Sequence, residues 1–186
     1  MRKHFDKNTY LYPMPVLIIG TYDKNGIANA MNAAWGGIYD DNQITICLST
    51  NHKTTDNIKL HKEFSVAFAT SNTIEISDYV GIVSGNDVDK IRKANLHVIK
   101  SDVVNAPIFD EYPLTIECRL VDLQDDGTTT HVIADIIGIS ADESILTNNK
   151  VDVEKLSPIA YDPACHTYYK IDKIVGHAFK DGLKLK

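Results

Sequence analysis

The chain has 186 residues, 44% of them hydrophobic, and its 19 Lys and Arg against 25 Asp and Glu give a formal net charge of −6. A chain of this size can bury a core without disulfides or a metal, and its acidic balance disfavours nucleic acid and anionic membranes as partners. No apolar run approaches the roughly 18 residues of a membrane-spanning helix, and the polar N-terminus is unlike a signal peptide, so we expect one cytoplasmic domain over residues 1–186.

The first predicted element is an apolar, β-branched strand over Met14–Tyr22. The dipeptide Asn25–Gly26 follows it and favours a tight hairpin turn, because both residues tolerate positive φ. The chain then returns along Ile27–Trp35, a strand unusually rich in small and amide side chains. Further on, the pattern predicts breaks at Gly36–Gly37 and at residues 40–42, and then a strand at 44–49. A helix capped by Thr54 or Thr55 and a strand at 64–70 follow. The next predicted element is a helix over 74–84 that is closed by Gly85.

The second half of the chain is dominated by predicted strands. Leu114–Leu120 alternates apolar and polar residues, and Asp125–Gly127 turns the chain into a partner strand over residues 128–139. A short segment near Val153–Leu156 and a last strand over Thr167–Val175 follow. About seven strands joined mostly by hairpins, with two or three short helices, favour a small antiparallel barrel. No Gly-x-Gly-x-x-Gly follows a strand, so a dinucleotide-binding fold is disfavoured.

The cysteines and histidines do not have the spacing of a metal site or a dithiol, so we expect no metal. Cys47 and Cys118 lie in apolar or alternating runs that are typical of the core. Cys165 precedes His166 and suggests a nucleophile pair, although neighbouring side chains of an extended chain point to opposite faces.

Two segments carry residue types suited to a ligand. Ser49–Ile58 opens a helix with several hydroxyls and Lys53, which fits a phosphate because helix N-termini offer free N–H groups and positive charge. The alternative is a surface helix with a solvated lysine.

The second segment is Asn29–Trp35, whose small residues would let a flat ligand approach the strand. Its asparagine amides could form hydrogen bonds with the edge of the ligand, and Trp35 could stack on it. The alternative is that this strand and Trp35 are simply core.

The order of Tyr12–Gly37, His52–Ile58 and Ser84–Leu96, followed by an aromatic tail, resembles the flavin reductase-like proteins and in particular the flavoredoxin branch. This resemblance implies a mainly β fold with short helices, an antiparallel FMN-binding split β-barrel, working as a homodimer. FMN is the implied cofactor.

The resemblance also implies roles for individual residues. Those along the flavin ring would be Asn29, Met31, Asn32, Ala33 and Trp35, and those near the phosphate would be Ser49, Lys53, Thr54 and Asn57. Lys90 and His131 would approach the flavin, although Lys90 could also be solvated and His131 could face outward. Tyr161 is the nearest candidate for an aromatic beside the ring. No catalytic residue is assigned.

Two classes of function follow. The first is an FMN oxidoreductase, either an NAD(P)H:flavin reductase or an electron carrier between protein partners, since the flavin supplies the redox chemistry. Its electron donor would be NAD(P)H or a redox protein. The second is a non-catalytic protein that uses the same barrel to bind another planar ligand or as a dimeric scaffold. The colour of the purified protein separates the two.

Overall fold

The computed structural model describes residues 1–186, and every pair of neighbouring strands in it is antiparallel. The strands are β1 (Met14–Pro15), β2 (Leu17–Tyr22), β3 (Ala28–Ala33), β4 (Gly36–Asp40), β5 (Gln43–Ser49), β6 (Glu63–Phe68), β7 (Val98–Lys100), β8 (Pro107–Phe109), β9 (Leu114–Asp125), β10 (Thr129–Ala141), β11 (Leu146–Thr147), β12 (Lys150–Val151), β13 (Ile159–Asp162) and β14 (Thr167–Lys170). The helices are α1 (Lys53–His61), α2 (Ile74–Ile82), α3 (Lys90–Lys93) and α4 (Val153–Leu156), with 3-10 turns at Glu143–Ile145 and Asp181–Leu185. No helix is both long enough and apolar enough to cross a membrane.

The main sheet has seven strands in the order β3-β2-β6-β9-β10-β5-β4. Its two edges, β3 and β4, are separated in the chain only by Ala34 and Trp35, so the sheet has to curl until the edges approach each other. The Cys47 amide of β5 donates to the Trp35 carbonyl at 2.8 Å and extends the β4–β5 pairing to the residue before β4. The predicted antiparallel split β-barrel is confirmed.

Two apolar clusters hold the barrel, one on each face of its wall. Because residues of a strand alternate between faces, β2 sends Leu17 and Ile19 to one cluster and Ile18 to the other. Ile58 of α1 joins the cluster inside the barrel, and Val80 of α2 joins the cluster outside. The two helices are thereby fixed on the sheet beside β3, where the predicted ligand residues lie.

The structure corrects several boundaries of the predicted elements. The break at Gly36–Gly37 was wrong, because both residues belong to β4, and a Cβ on Gly36 would lie 2.9 Å from Leu17 Cδ1. His52 precedes α1 in place of a threonine cap. Gly85 does not close α2, which ends at Ile82. The last strand stops at Lys170, and a strand that the sequence pattern did not indicate, β13, precedes it.

Candidate functional site

A long cleft runs beside β3 and consists of two adjoining chambers. The larger chamber has a volume of about 460 Å³ and the smaller about 230 Å³. They share wall residues from β3, from the residue before α1 and from the end of α2, namely Met31, Asn32, His52, Gly81 and Ile82. A single elongated ligand can therefore occupy both.

The larger chamber, called the ring chamber below, has aromatic walls. Trp35 lines it from the β3–β4 junction, and Tyr161 and Tyr168 line it from the β13–β14 hairpin, with their ring centroids 5.8 Å apart. Tyr168 Oη donates to Asp78 Oδ1 at 2.8 Å, which ties the hairpin to α2. Burial, together with this hydrogen bond, raises the pKa of Tyr168 to about 12, so the phenol stays neutral. The chamber suits a flat, largely apolar ring system.

Close packing of α2 against β3 shapes the floor of the ring chamber. Asn32 Nδ2 donates to the Ser77 carbonyl at 2.9 Å, and a Cβ on Gly81 would lie 3.0 Å from the Asn32 Cβ. Glycine at position 81 therefore allows the helix to approach the strand this closely.

The smaller chamber, called the cation chamber below, contains two lysines. Lys53, the first residue of α1, places Nζ 3.2 Å from Asp23 Oδ2. Lys90 is only 5% exposed, and its Nζ donates to the Val80 carbonyl at 2.7 Å near the end of α2. Asn29 Nδ2 donates to Thr54 Oγ1 at 2.9 Å, and both residues are buried.

The charges in the cation chamber favour an anion. Burial, together with the positive charge of nearby Lys53, lowers the pKa of Lys90 to about 8. Burial and Lys90 also lower the pKa of His52, which is therefore mostly neutral at pH 7. Asp23 balances one lysine and leaves the other positive charge without a carboxylate partner. A phosphate would supply that partner through charge-assisted hydrogen bonds.

Gly85 shapes the wall of the same chamber. A Cβ there would overlap Asn29 Oδ1 and lie 3.3 Å from Lys53 Cδ. The lack of a side chain at this position keeps the loop after α2 in contact with the strand and the lysine. The cleft as a whole thus fits a planar ring that carries a phosphate.

Comparison with known proteins agrees with this geometry. The family profile described as the flavin reductase-like domain matches residues 9–163. The chain belongs to this family.

Solved structures of other proteins share the fold over almost the whole chain. The flavoredoxin of Desulfovibrio vulgaris (Miyazaki F) is 30% identical, with a TM-score of 0.93 that covers 98% of this chain and 100% of that one. A flavoredoxin from Methanosarcina acetivorans is 29% identical, with a TM-score of 0.91 over 100% of both chains. An FMN-binding domain of a flavin reductase-like enzyme from Shewanella baltica OS155 is 20% identical, with a TM-score of 0.76 over 88% of each chain, and shows the fold alone.

Most residues predicted for the site in this flavin reductase-like protein line the cleft. They are Asn29, Met31, Asn32, Ala33, Trp35, Lys53, Thr54 and Lys90. Tyr161 also lines the ring chamber. The alternative of a solvated Lys90 was wrong, because the side chain is buried against α2.

Three predicted residues lie outside the two chambers. Ser49 is exposed, and its carbonyl accepts from Thr55 Oγ1 at 2.8 Å. Asn57 faces β2, where its Nδ2 donates to Thr21 Oγ1 at 3.0 Å. His131 is exposed on β10, with Nδ1 3.0 Å from Cys47 Sγ. The contacts of Ser49 and Asn57 therefore lie at the junction between α1 and the sheet.

The sequence analysis did not assign to the flavin site the residues that close the cleft from the other side, although it named His166 and Gly85 for other roles. These are Asp78, Gly81 and Ile82 of α2, Gly85, and His166 and Tyr168 of the last hairpin. His52 lay within the hydroxyl-rich segment and could have been named from it. The sequence of α2 did not indicate a ligand site, because helical spacing shows which face of a helix is apolar but not which part of the protein that helix packs against.

Proposed function

We propose that this protein is an FMN-dependent oxidoreductase that passes electrons between FMN in the cleft and a second molecule. The observation that supports this proposal most directly is that an aromatic chamber adjoins a chamber with two lysines, with five wall residues in common. The isoalloxazine ring would lie between β3 and the Tyr161–Tyr168 hairpin. Lys53, Lys90 and the Thr54 hydroxyl would hold the phosphate.

The side chains would bind and orient the flavin, while the flavin itself supplies one- and two-electron transfer. Asn32 and Gly81 would define the surface under the ring, and Trp35, which is 52% exposed, would cover its edge. Lys90 would contribute its charge at the phosphate. NAD(P)H or a redox protein would deliver the electrons, and stopped-flow mixing with NADH, NADPH and a reduced ferredoxin would identify the donor.

The first test is the pigment of the purified protein. We expect a yellow protein that releases FMN, and not FAD, on heating, as judged by chromatography. A protein that binds no flavin would contradict the proposal and favour the alternative, a barrel that binds another planar ligand without catalysis.

The second test separates the phosphate from the ring. Hydrogen bonds to charged groups contribute about 1.5–3 kcal/mol each, so Lys53→Met should weaken FMN about 10- to 200-fold. Riboflavin, which has no phosphate, should bind variant and parent alike. Lys59→Met is the matched control, because Lys59 lies on the same helix, pairs with Asp125 at 2.7 Å and lines neither chamber. An equal loss for riboflavin would remove Lys53 from the phosphate site.

A further inference from the structure

A third chamber of about 390 Å³ lies on the other side of Trp35 from the ring chamber. The two share Ala34, Trp35 and Cys47 in their walls. The remaining wall comes from residues 9, 11 and 13–15, the start of β4, Thr45 and His131. The placement of FMN proposed above leaves this chamber free.

The side chains of this third chamber set the chemistry of an occupant. No Lys, Arg, Asp or Glu lines it, and its apolar walls are Leu11, Pro13, Met14 and Pro15. Its polar groups are two threonine hydroxyls, the Cys47 thiol and the His131 imidazole. Because an unpaired charge is costly to desolvate, these walls favour an uncharged ligand with one or two hydrogen-bonding atoms.

The third chamber has open space above the backbone of Gly37. A Cβ on Gly37 would meet no heavy atom within 4 Å, whereas a Cβ on the preceding Gly36 would lie 2.9 Å from Leu17 Cδ1. A flat molecule could therefore lie directly against the backbone of β4 at this point.

We propose that the third chamber binds an uncharged planar carbonyl compound, such as a quinone, that accepts electrons from the flavin. This inference rests on the proposed flavin function. The acceptor would be separated from the ring chamber only by the shared wall of Ala34, Trp35 and Cys47. His131, whose Nδ1 lies 3.0 Å from Cys47 Sγ, would donate a hydrogen bond from Nε2 to the carbonyl oxygen of the acceptor.

The redox step balances without a further reactant. A quinone becomes a hydroquinone when it takes up two electrons and two protons. Bound reduced flavin would supply both electrons and one proton, and water would supply the second proton and leave as hydroxide. His131 would position the carbonyl, and we assign it no proton transfer.

The test uses the protein's only tryptophan as a probe, because Trp35 lies in the wall of the chamber. Menadione should quench Trp35 fluorescence in a saturable way in the FMN-loaded protein. Gly37→Val places a β-branched side chain in the open space of a strand and should weaken menadione about 10-fold or more. Gly182→Val is the matched control, since a Cβ there also meets nothing within 4 Å but lies in the C-terminal 3-10 turn.

His131→Leu is a second variant and should weaken menadione about 3- to 10-fold through the lost hydrogen bond. Reduction of ferricyanide, a charged acceptor that does not need the chamber, should be unchanged in Gly37→Val. Unchanged menadione binding in Gly37→Val, or release of FMN by menadione, would overturn the inference. Failure of the flavin proposal is seen separately, as a parent protein whose absorbance shows no bound FMN.

Discussion

Lys90 carries the clearest pH-dependent prediction at the scale of single residues. Burial lowers its pKa to about 8, so its charge is largely lost above that pH. Lys53 and His52 are its charged or titratable neighbours in the cation chamber. We expect FMN affinity to fall as the pH rises through about 8, because the phosphate then loses one of its two cations.

Titration of Kd against pH by flavin fluorescence checks this. Lys90→Met should bind FMN more weakly at pH 7 and should lose the step near pH 8. Riboflavin should show no such step in either protein. An identical pH profile for the parent and Lys90→Met would exclude Lys90 from phosphate binding.

Thr54 links the ligand site to stability. Thr54 is 1% exposed, and its hydroxyl accepts from Asn29 Nδ2, so Thr54→Val leaves a buried N–H group unpaired. Such a group costs about 1–3 kcal/mol, which should appear as a lower free energy of unfolding in urea. Thr54→Ser keeps the hydroxyl and should retain most of that stability and of the FMN affinity. If serine and valine destabilise equally, the lost methyl packing, and not the hydrogen bond, is the cause.

At the scale of elements, the β2–β3 hairpin is coupled to the cation chamber through Asp23. Its Oδ1 accepts from the Asn25 and Ile27 amides at 2.8 and 3.0 Å, and its Oδ2 faces Lys53. Burial raises the pKa of Asp23, but these amide hydrogen bonds and Lys53 outweigh it and lower the pKa below the ordinary value of 3.8. One carboxylate thus fixes both the turn and the lysine.

Asp23→Asn keeps an oxygen for the turn and removes the charge that faces Lys53. We expect it to lower the free energy of unfolding by about 1–3 kcal/mol at pH 7. A carboxylate whose pKa is lowered in the folded state stabilises the fold fully above its ordinary pKa of 3.8, and this effect is lost as the pH falls from 3.8 through the lowered native pKa. The stabilities of parent and variant should therefore begin to approach each other near pH 3.8 and converge at more acidic pH. Urea unfolding at several pH values measures this. A difference that stays constant in acid would contradict the ionic contribution.

At the scale of the whole molecule, the edge strand β4 remains uncovered. Ile38 and Tyr39 are 72% and 57% exposed, and Ile38 borders an apolar cavity of about 160 Å³. Exposed edge strands with apolar side chains favour association. We propose that the protein is a homodimer that covers this edge.

Light scattering on the FMN-loaded protein should give twice the chain mass of 20.7 kDa. Ile38→Lys should shift the mass toward that of one chain, because it places a charge in the buried edge. A mass of 20.7 kDa for the parent at micromolar concentration would contradict the dimer. A dimeric Ile38→Lys would place the interface elsewhere.

The sequence by itself determined the strand-rich barrel and the part of the site that is local in the chain. Alternation along β9 and the Asn25–Gly26 turn are short-range patterns, so they can be read without knowing any partner. The same holds for the residues of β3 and the start of α1, whose small, amide and hydroxyl side chains are unusual for core elements. The family resemblance rested on these same segments and is confirmed.

Only the tertiary structure decided which residues face these segments across the cleft. Asp78 and Tyr168 are 90 positions apart and meet in one hydrogen bond, and the buried state of Lys90 depends on the Val80 carbonyl of another helix. His131 lies on the strand that was predicted, but the barrel places it opposite Cys47 of β5, in the wall of the third chamber. Periodicity gives the face on which a side chain lies, whereas its partner depends on how distant elements pack, and no local pattern contains that information.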